Sequence, residues 1–275
     1  MINLFKSEWQ RLYIKKTTWI CFISIPIILI ALVKHYLKVN SVLNASSPEF
    51  MESYKFPIVA LQNYSMLLFD LLFIMLIVLC VTDEFRNGSI RMVLLRPIKK
   101  LHLFYAKFLV LLATLFLLLT TYFLLAYLIG FIAFPRTSNI SLNYFKHSLP
   151  QNQVIIYAIK TYLIELFTLT SMCSLIFFIS TISKTITIAF GANLGIIVVG
   201  LIFSPIMVIF THKHNANLIK LQWLISIPKI QTDGIQLMLA QTSHLLLYGL
   251  GVLFIYAILF TALNYLIYSK SDILI

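Results

Sequence analysis

Six apolar stretches, each long enough to cross a lipid bilayer, constrain this chain more than any other feature. They lie near residues 17–36, 61–81, 103–134, 154–179, 186–210 and 244–268. A spanning helix needs about 20 apolar residues, because every backbone amide must be satisfied inside the segment where no water reaches. Six such stretches in 275 residues leave nothing that suggests a separate soluble domain. The chain is 60% hydrophobic and 11% charged, against about 25% charged in ordinary soluble domains. So much apolar surface cannot be hidden in a globule of this size, which excludes a soluble enzyme. The Phe, Leu and Ile content excludes disorder. The expected fold is an all-α integral membrane protein of six transmembrane helices, one domain over residues 1–275. Pro26 and Pro205 fall inside the first and fifth stretches, where proline kinks a membrane helix without abolishing it. The third stretch is long enough to tilt or to extend beyond the bilayer.

Lys and Arg total 21 against 9 Asp and Glu, a net charge of +12. In a soluble protein that excess would point to nucleic acid. Here the basic residues flank the apolar stretches, which is how membrane proteins fix orientation, so the bilayer and not nucleic acid is the expected partner. Lys6, Arg11, Lys15 and Lys16 precede the first stretch, and Arg86, Arg91, Arg96, Lys99 and Lys100 crowd the short connection after the second. The bases on the opposite side are spread over longer loops. The denser set belongs in the cytoplasm, which places both termini there.

Residues 1–16 put Leu4, Phe5, Trp9, Leu12 and Tyr13 on one helical face and Lys6, Ser7, Gln10 and Arg11 on the other. A basic amphipathic helix of this kind lies in the membrane interface; an ordinary membrane-flanking turn is the alternative. The outer loop 211–243 contains two apolar patches too short to span, expected as short helices in the outer interface, broken by Pro228 and Gly234.

Catalytic and metal chemistry find little support. Cys21, Cys80 and Cys173 all fall within apolar stretches, and an odd number there makes neither a disulfide framework nor a metal site. His212 and His214 stand alone on the outer loop, and neither HExxH nor GxSxG occurs. No catalytic residue and no metal ligand is expected.

The connection over residues 83–101 is more informative. The second helix can run on through Glu84 and Phe85, and Asn87-Gly88 can stop it with a left-handed residue. Ser89 is then a good N-cap for a new short helix, which Arg96-Pro97 ends. On that helix Ile90, Val93 and Leu94 form an apolar stripe beside Arg91. Lipid contact would explain such a stripe, and so would a groove on a partner protein.

The string Asp83-Glu84-Phe85-Arg86-Asn87-Gly88-Ser89-Ile90-Arg91, followed by Leu95-Arg96-Pro97 and Lys107-Phe108, resembles the segment between the second and third membrane helices of ABC-2 family permeases. These are the membrane subunits of bacterial ATP-binding-cassette exporters. The resemblance implies that residues 88–95 dock into a cleft on a separate ATPase subunit. Glu84 and Arg86 would then sit at the hinge and Arg91 would face the ATPase. It further implies a second permease copy or paralogue, ATP and Mg on the partner only, and an amphipathic or hydrophobic cargo such as a peptide antibiotic, toxin or drug. The chain has no G-x-x-x-x-G-K-[ST], so no P-loop of its own.

Three charges fall inside the stretches: Asp70 in the second, Lys160 and Glu165 in the fourth. A charge at such depth costs several kcal/mol and usually faces protein or water. They are candidates for a polar translocation pathway, with Asp70 paired to Lys160, or for a structural tie between helices. Lys160 has the further option of snorkelling outward. An ATP-independent ion- or proton-coupled carrier would also use Asp70 and Glu165, and an intramembrane enzyme is a third class. Gly191 and Gly195 form a GxxxG pattern suited to close helix packing, within the chain or between copies.

Overall fold

The computed structural model describes residues 2–44, 47, 49–62, 66–86, 100–137, 139–142, 145, 147–211, 216–240 and 245–270. Helix α1 (Ile2–Ile14) packs against the bundle through Leu12 and, unexpectedly, Glu8. The chain turns at Lys15, whose backbone is extended, and the Thr18 hydroxyl ties the turn by donating to the Leu12 carbonyl at 2.6 Å. Helix α2 (Lys16–Asn40) buries Cys21, Ile25, Leu29, Leu32 and Tyr36, a stripe at helical spacing, and carries Pro26 without breaking. At its end the Asn40 side chain donates to the Met51 carbonyl at 2.9 Å and accepts from its amide at 2.8 Å. This brings the chain back over α3 (Phe56–Ala60) into α4 (Met66–Cys80). The short α5 (Thr82–Arg86) follows, then α6 (Lys100–Ala133). An antiparallel hairpin of β1 (Asn139–Ile140) and β2 (Leu149–Pro150) leads into α7 (Gln151–Ile182) and α8 (Ile186–Thr211). After α9 (Ala216–Ile225) and α10 (Ile227–Lys229) comes one π-helical turn, Ile230–Gly234, then α11 (Ile235–Met238) and α12 (Leu246–Lys270).

Among the described residues, five helices (α2, α6, α7, α8 and α12) are long and apolar enough to cross a membrane. Within the second apolar stretch the described residues include α4, Met66–Cys80. Its lack of an amphipathic pattern is explained by its position: α4 touches α2, α6, α7 and α8, and among its described side chains only Leu67 and Leu71 are exposed. A helix apolar all round belongs inside a bundle. α7 packs extensively on α12, where Ser171 donates to the Leu253 carbonyl at 2.9 Å and Asn264 to that of Ser174 at 3.1 Å.

Of the region 211–243, residues 216–238 form the short helices expected and fold back into the bundle. Ser226 donates to the carbonyl of Gly200, midway along α8, at 2.8 Å, and Tyr256 in α12 donates to that of Leu224 at 2.7 Å. The apolar patches are too short to span but long enough to bury Trp223, Ile227, Ile230 and Ile235 completely or nearly so. The break between them is tolerable because Ser226 caps the next turn, accepting from Lys229 N at 3.2 Å. Gly200 makes the approach possible, since a Cβ there would lie 2.9 Å from Ser226 Oγ and 3.1 Å from Pro228 Cγ. Gly191 and Gly195, by contrast, have nothing within 4 Å of where a Cβ would stand, so the GxxxG pattern does no packing among the described residues.

Candidate functional site: two buried charge clusters

The first cluster lies where α1, the α4–α5 joint and α6 meet. Lys107 is completely buried. Its ammonium donates to Glu8 Oε2 at 2.8 Å, to Glu84 Oε2, and to the Cys80 carbonyl at 3.3 Å, so all three N–H groups are satisfied. Glu84 also receives Arg11 at 3.1 Å and Lys15 at 3.2 Å, while Arg11 bridges back to Glu8 at 2.9 Å. Lys15 further caps the end of α4 by donating to the Leu79 carbonyl at 2.7 Å. Three cations thus share two carboxylates. Burial alone would raise the Glu84 carboxyl, but Lys107, Lys15 and Arg11 overcome it and hold the group below the usual carboxylate range. Nearby, Thr82 donates to the Ser180 carbonyl at 2.8 Å, which adds α7 to the joint. The root of the 83–101 connection is therefore fastened to three helices at once.

The second cluster is halfway along the bundle. Asp70 and Glu165, both buried, approach the same side-chain amide. Gln231 Nε2 lies 3.3 Å from Asp70 Oδ1 and 3.4 Å from Glu165 Oε1, one hydrogen for each acid. The Thr168 hydroxyl, 2.8 Å from the Glu165 carbonyl and 3.0 Å from its Oε2, donates to that residue. Gln231 reaches this depth because it sits in the π-helical turn of the folded-back segment, and such wide turns inside helices recur at functional sites.

The expected residues are thus partly brought together. Asp70 and Glu165 meet, but through Gln231, and the expected Asp70–Lys160 pair does not form: Lys160 is exposed on α7 and faces a groove. One helical turn and a half separates it from Glu165, which places the two on different sides of the helix. Glu84 is central to the first cluster. Phe85 and Arg86 belong to α5, while Gly88, Ser89, Ile90, Arg91, Val93 and Leu94 lie outside the described residues. Glu8 and Gln231 have no counterpart in the sequence reading. Glu8 stands four residues before the buried Leu12, and that spacing places it on the inner face of α1. Gln231 is a neutral residue between two short apolar patches, and nothing in its local sequence marks its depth. Among the described residues no group of three His, Cys, Asp or Glu is placed to hold a metal ion.

A helical bundle with five helices fit to span a bilayer among its described residues, and with several charges held in buried clusters, defines a multi-pass membrane protein. Within that class, the chain belongs to the family described as "Protein of unknown function (DUF2705)", whose model matches residues 19–274. No curated protein and no solved structure matches it significantly.

Proposed function

We propose that this chain is the permease subunit of an ATP-driven exporter of the ABC-2 type in a bacterial plasma membrane, with both termini cytoplasmic. It forms the membrane pathway for an amphipathic or hydrophobic cargo such as a peptide antibiotic, toxin or drug. Separate ATPase subunits hydrolyse ATP, and a second permease copy or paralogue completes the pathway. In this reading α4 and its flanks make the sixth crossing, and α1 lies in the cytoplasmic interface.

The observation that carries the reading is the Glu8–Arg11–Lys15–Glu84–Lys107 network. A docking segment is useful only if force applied to it reaches the membrane helices. Here the root of that segment is tied through Glu84 to α1 and α6, and through Thr82 to α7. A push on residues 88–95 would therefore move helices and not merely bend a loop. A second reading, an ATP-independent ion- or proton-coupled carrier, draws on the burial of Asp70 and Glu165 around one amide.

Affinity capture of the tagged protein from native membranes in mild detergent separates the two, run beside a variant carrying Gly88→Trp and Arg91→Glu. The exporter reading expects a P-loop ATPase with the first protein and its loss from the second. Equal recovery from both refutes the docking site, and recovery from neither turns the argument to the carrier.

A further inference from the structure

Lys160 is a charge out of place. It lies on an α7 strip with Ile156, Ile159 and Leu163, all of them substantially exposed and apolar. None of the ion pairs among the described residues includes it. Five of the chain's nine acids are engaged elsewhere. Glu165, the nearest in sequence, is engaged by Thr168 and Gln231, which also approaches Asp70; Asp233 pairs with Lys229; and Glu8 and Glu84 belong to the Lys107 cluster.

The ammonium borders a groove of about 630 Å³ at the β-hairpin end, between α7, α11 and the start of α12. Ile156, Leu163, Met238, Leu246 and Leu250 are part of its apolar wall; among the described residues that line it, Lys160 is the one charged side chain and none is an acid. The volume lies within the range of small-molecule sites. Depth matters as well. Lys160 is nine residues along α7 from Gln151, about 13 Å, on a helix of 32 residues that exceeds the roughly 30 Å hydrocarbon core by about 18 Å. Centred in the bilayer, that helix places Lys160 near the boundary where head groups meet chains.

We propose that this groove binds an anionic amphiphile, with its hydrocarbon chain along the Ile156–Leu163 and Leu246–Leu250 walls and its carboxylate or phosphate on Lys160. The ligand supplies the anion that the described chain does not, and the groove supplies the apolar cover that a free anion could not use. The site is independent of whether an ATPase partners the chain.

The test uses the full-length protein in phosphatidylcholine nanodiscs and a diazirine-bearing fatty acid, with photolabelled residues mapped by mass spectrometry. Saturable labelling within 156–164 and 246–250 is expected. Loss of a charge-assisted contact in Lys160→Gln should cut it roughly tenfold, and Lys160→Arg should restore it. Leu163→Trp should block it by filling the groove. The methyl ester of the same probe should label weakly. Equal labelling by acid and ester, or by wild type and Lys160→Gln, overturns the proposal. Displacement of the probe by excess inorganic phosphate overturns it too, since the site would then take a free anion. Lys160 is exposed, so these variants should melt with the wild type, and the comparison does not depend on a folding defect.

Discussion

Replacing Lys107 by methionine tests the inner cluster directly. Methionine matches the length of the lysine stem, so little cavity is created, and what is lost is the ammonium with its three acceptors. Removing one partner of a buried pair costs about 3–5 kcal/mol, because the remaining charges stay buried without compensation. Arg11 and Lys15 still face Glu84, and Arg11 still faces Glu8, but both bases are about 29% exposed and only partly replace an ammonium that is fully enclosed. The lower end, about 3 kcal/mol, is therefore expected, a factor of roughly 100 in the folding equilibrium. For a chain of this size that corresponds to about 6–12 °C in Tm. Cys21, Cys80 and Cys173 are all buried, so a thiol-reactive fluorogenic dye reports unfolding in detergent without further labelling. Glu8→Gln and the double variant complete a cycle, and residues sharing one network should couple by about 0.5–3 kcal/mol. A Tm unchanged within about 2 °C, or strictly additive effects, would show that the cluster does not hold α1, α4 and α6 together.

Acid should act through the same carboxylates. The folded-state value of Glu84 lies below its unfolded value, so its contribution is complete above the unfolded value of about 4.3 and is lost as pH falls through the folded one. Thermal melts should lose stability below about pH 4.3, and Glu84→Gln, already less stable at neutral pH, should show a flatter acid limb; parallel pH profiles for the two proteins would refute this. The glycines of α8 should split by sign. Gly200→Ala forces a Cβ against Ser226 and Pro228 and should cost about 1–3 kcal/mol by overpacking. Gly191→Ala and Gly195→Ala meet open space and should gain up to about 1 kcal/mol from helix propensity. The same dye assay reads all three, and a common sign would contradict the described seat of the folded-back segment.

The membrane class of the fold was legible in the chain because the bilayer imposes a length and a polarity on any spanning helix, and both are visible in one dimension. The long helices α2, α6, α7, α8 and α12 fall on five of the six apolar stretches. On the sixth, the described residues place α4 (Met66–Cys80), with residues 63–65 lying outside them. How deeply residues 216–238 are buried was not legible. Short apolar patches broken by Pro228 look like interface, and nothing local shows that Gly200 and Gly249 leave room for them inside. At Gly249, a Cβ would run into Met238 and lie 3.0 Å from Trp223.

Sequence alone thus determined that the chain lives in lipid, where its long apolar helices begin and end within a few residues, and that Asp70, Lys160 and Glu165 stand among apolar neighbours. Only the tertiary structure decided partners. It set Asp70 and Glu165 on Gln231, joined Lys107 to Glu8 across 99 positions, and left Lys160 facing a groove. The length and hydropathy of a helix are properties of neighbouring residues, whereas the identity of a counter-ion depends on which helix faces turn toward each other, and that is settled by packing between elements far apart in the chain.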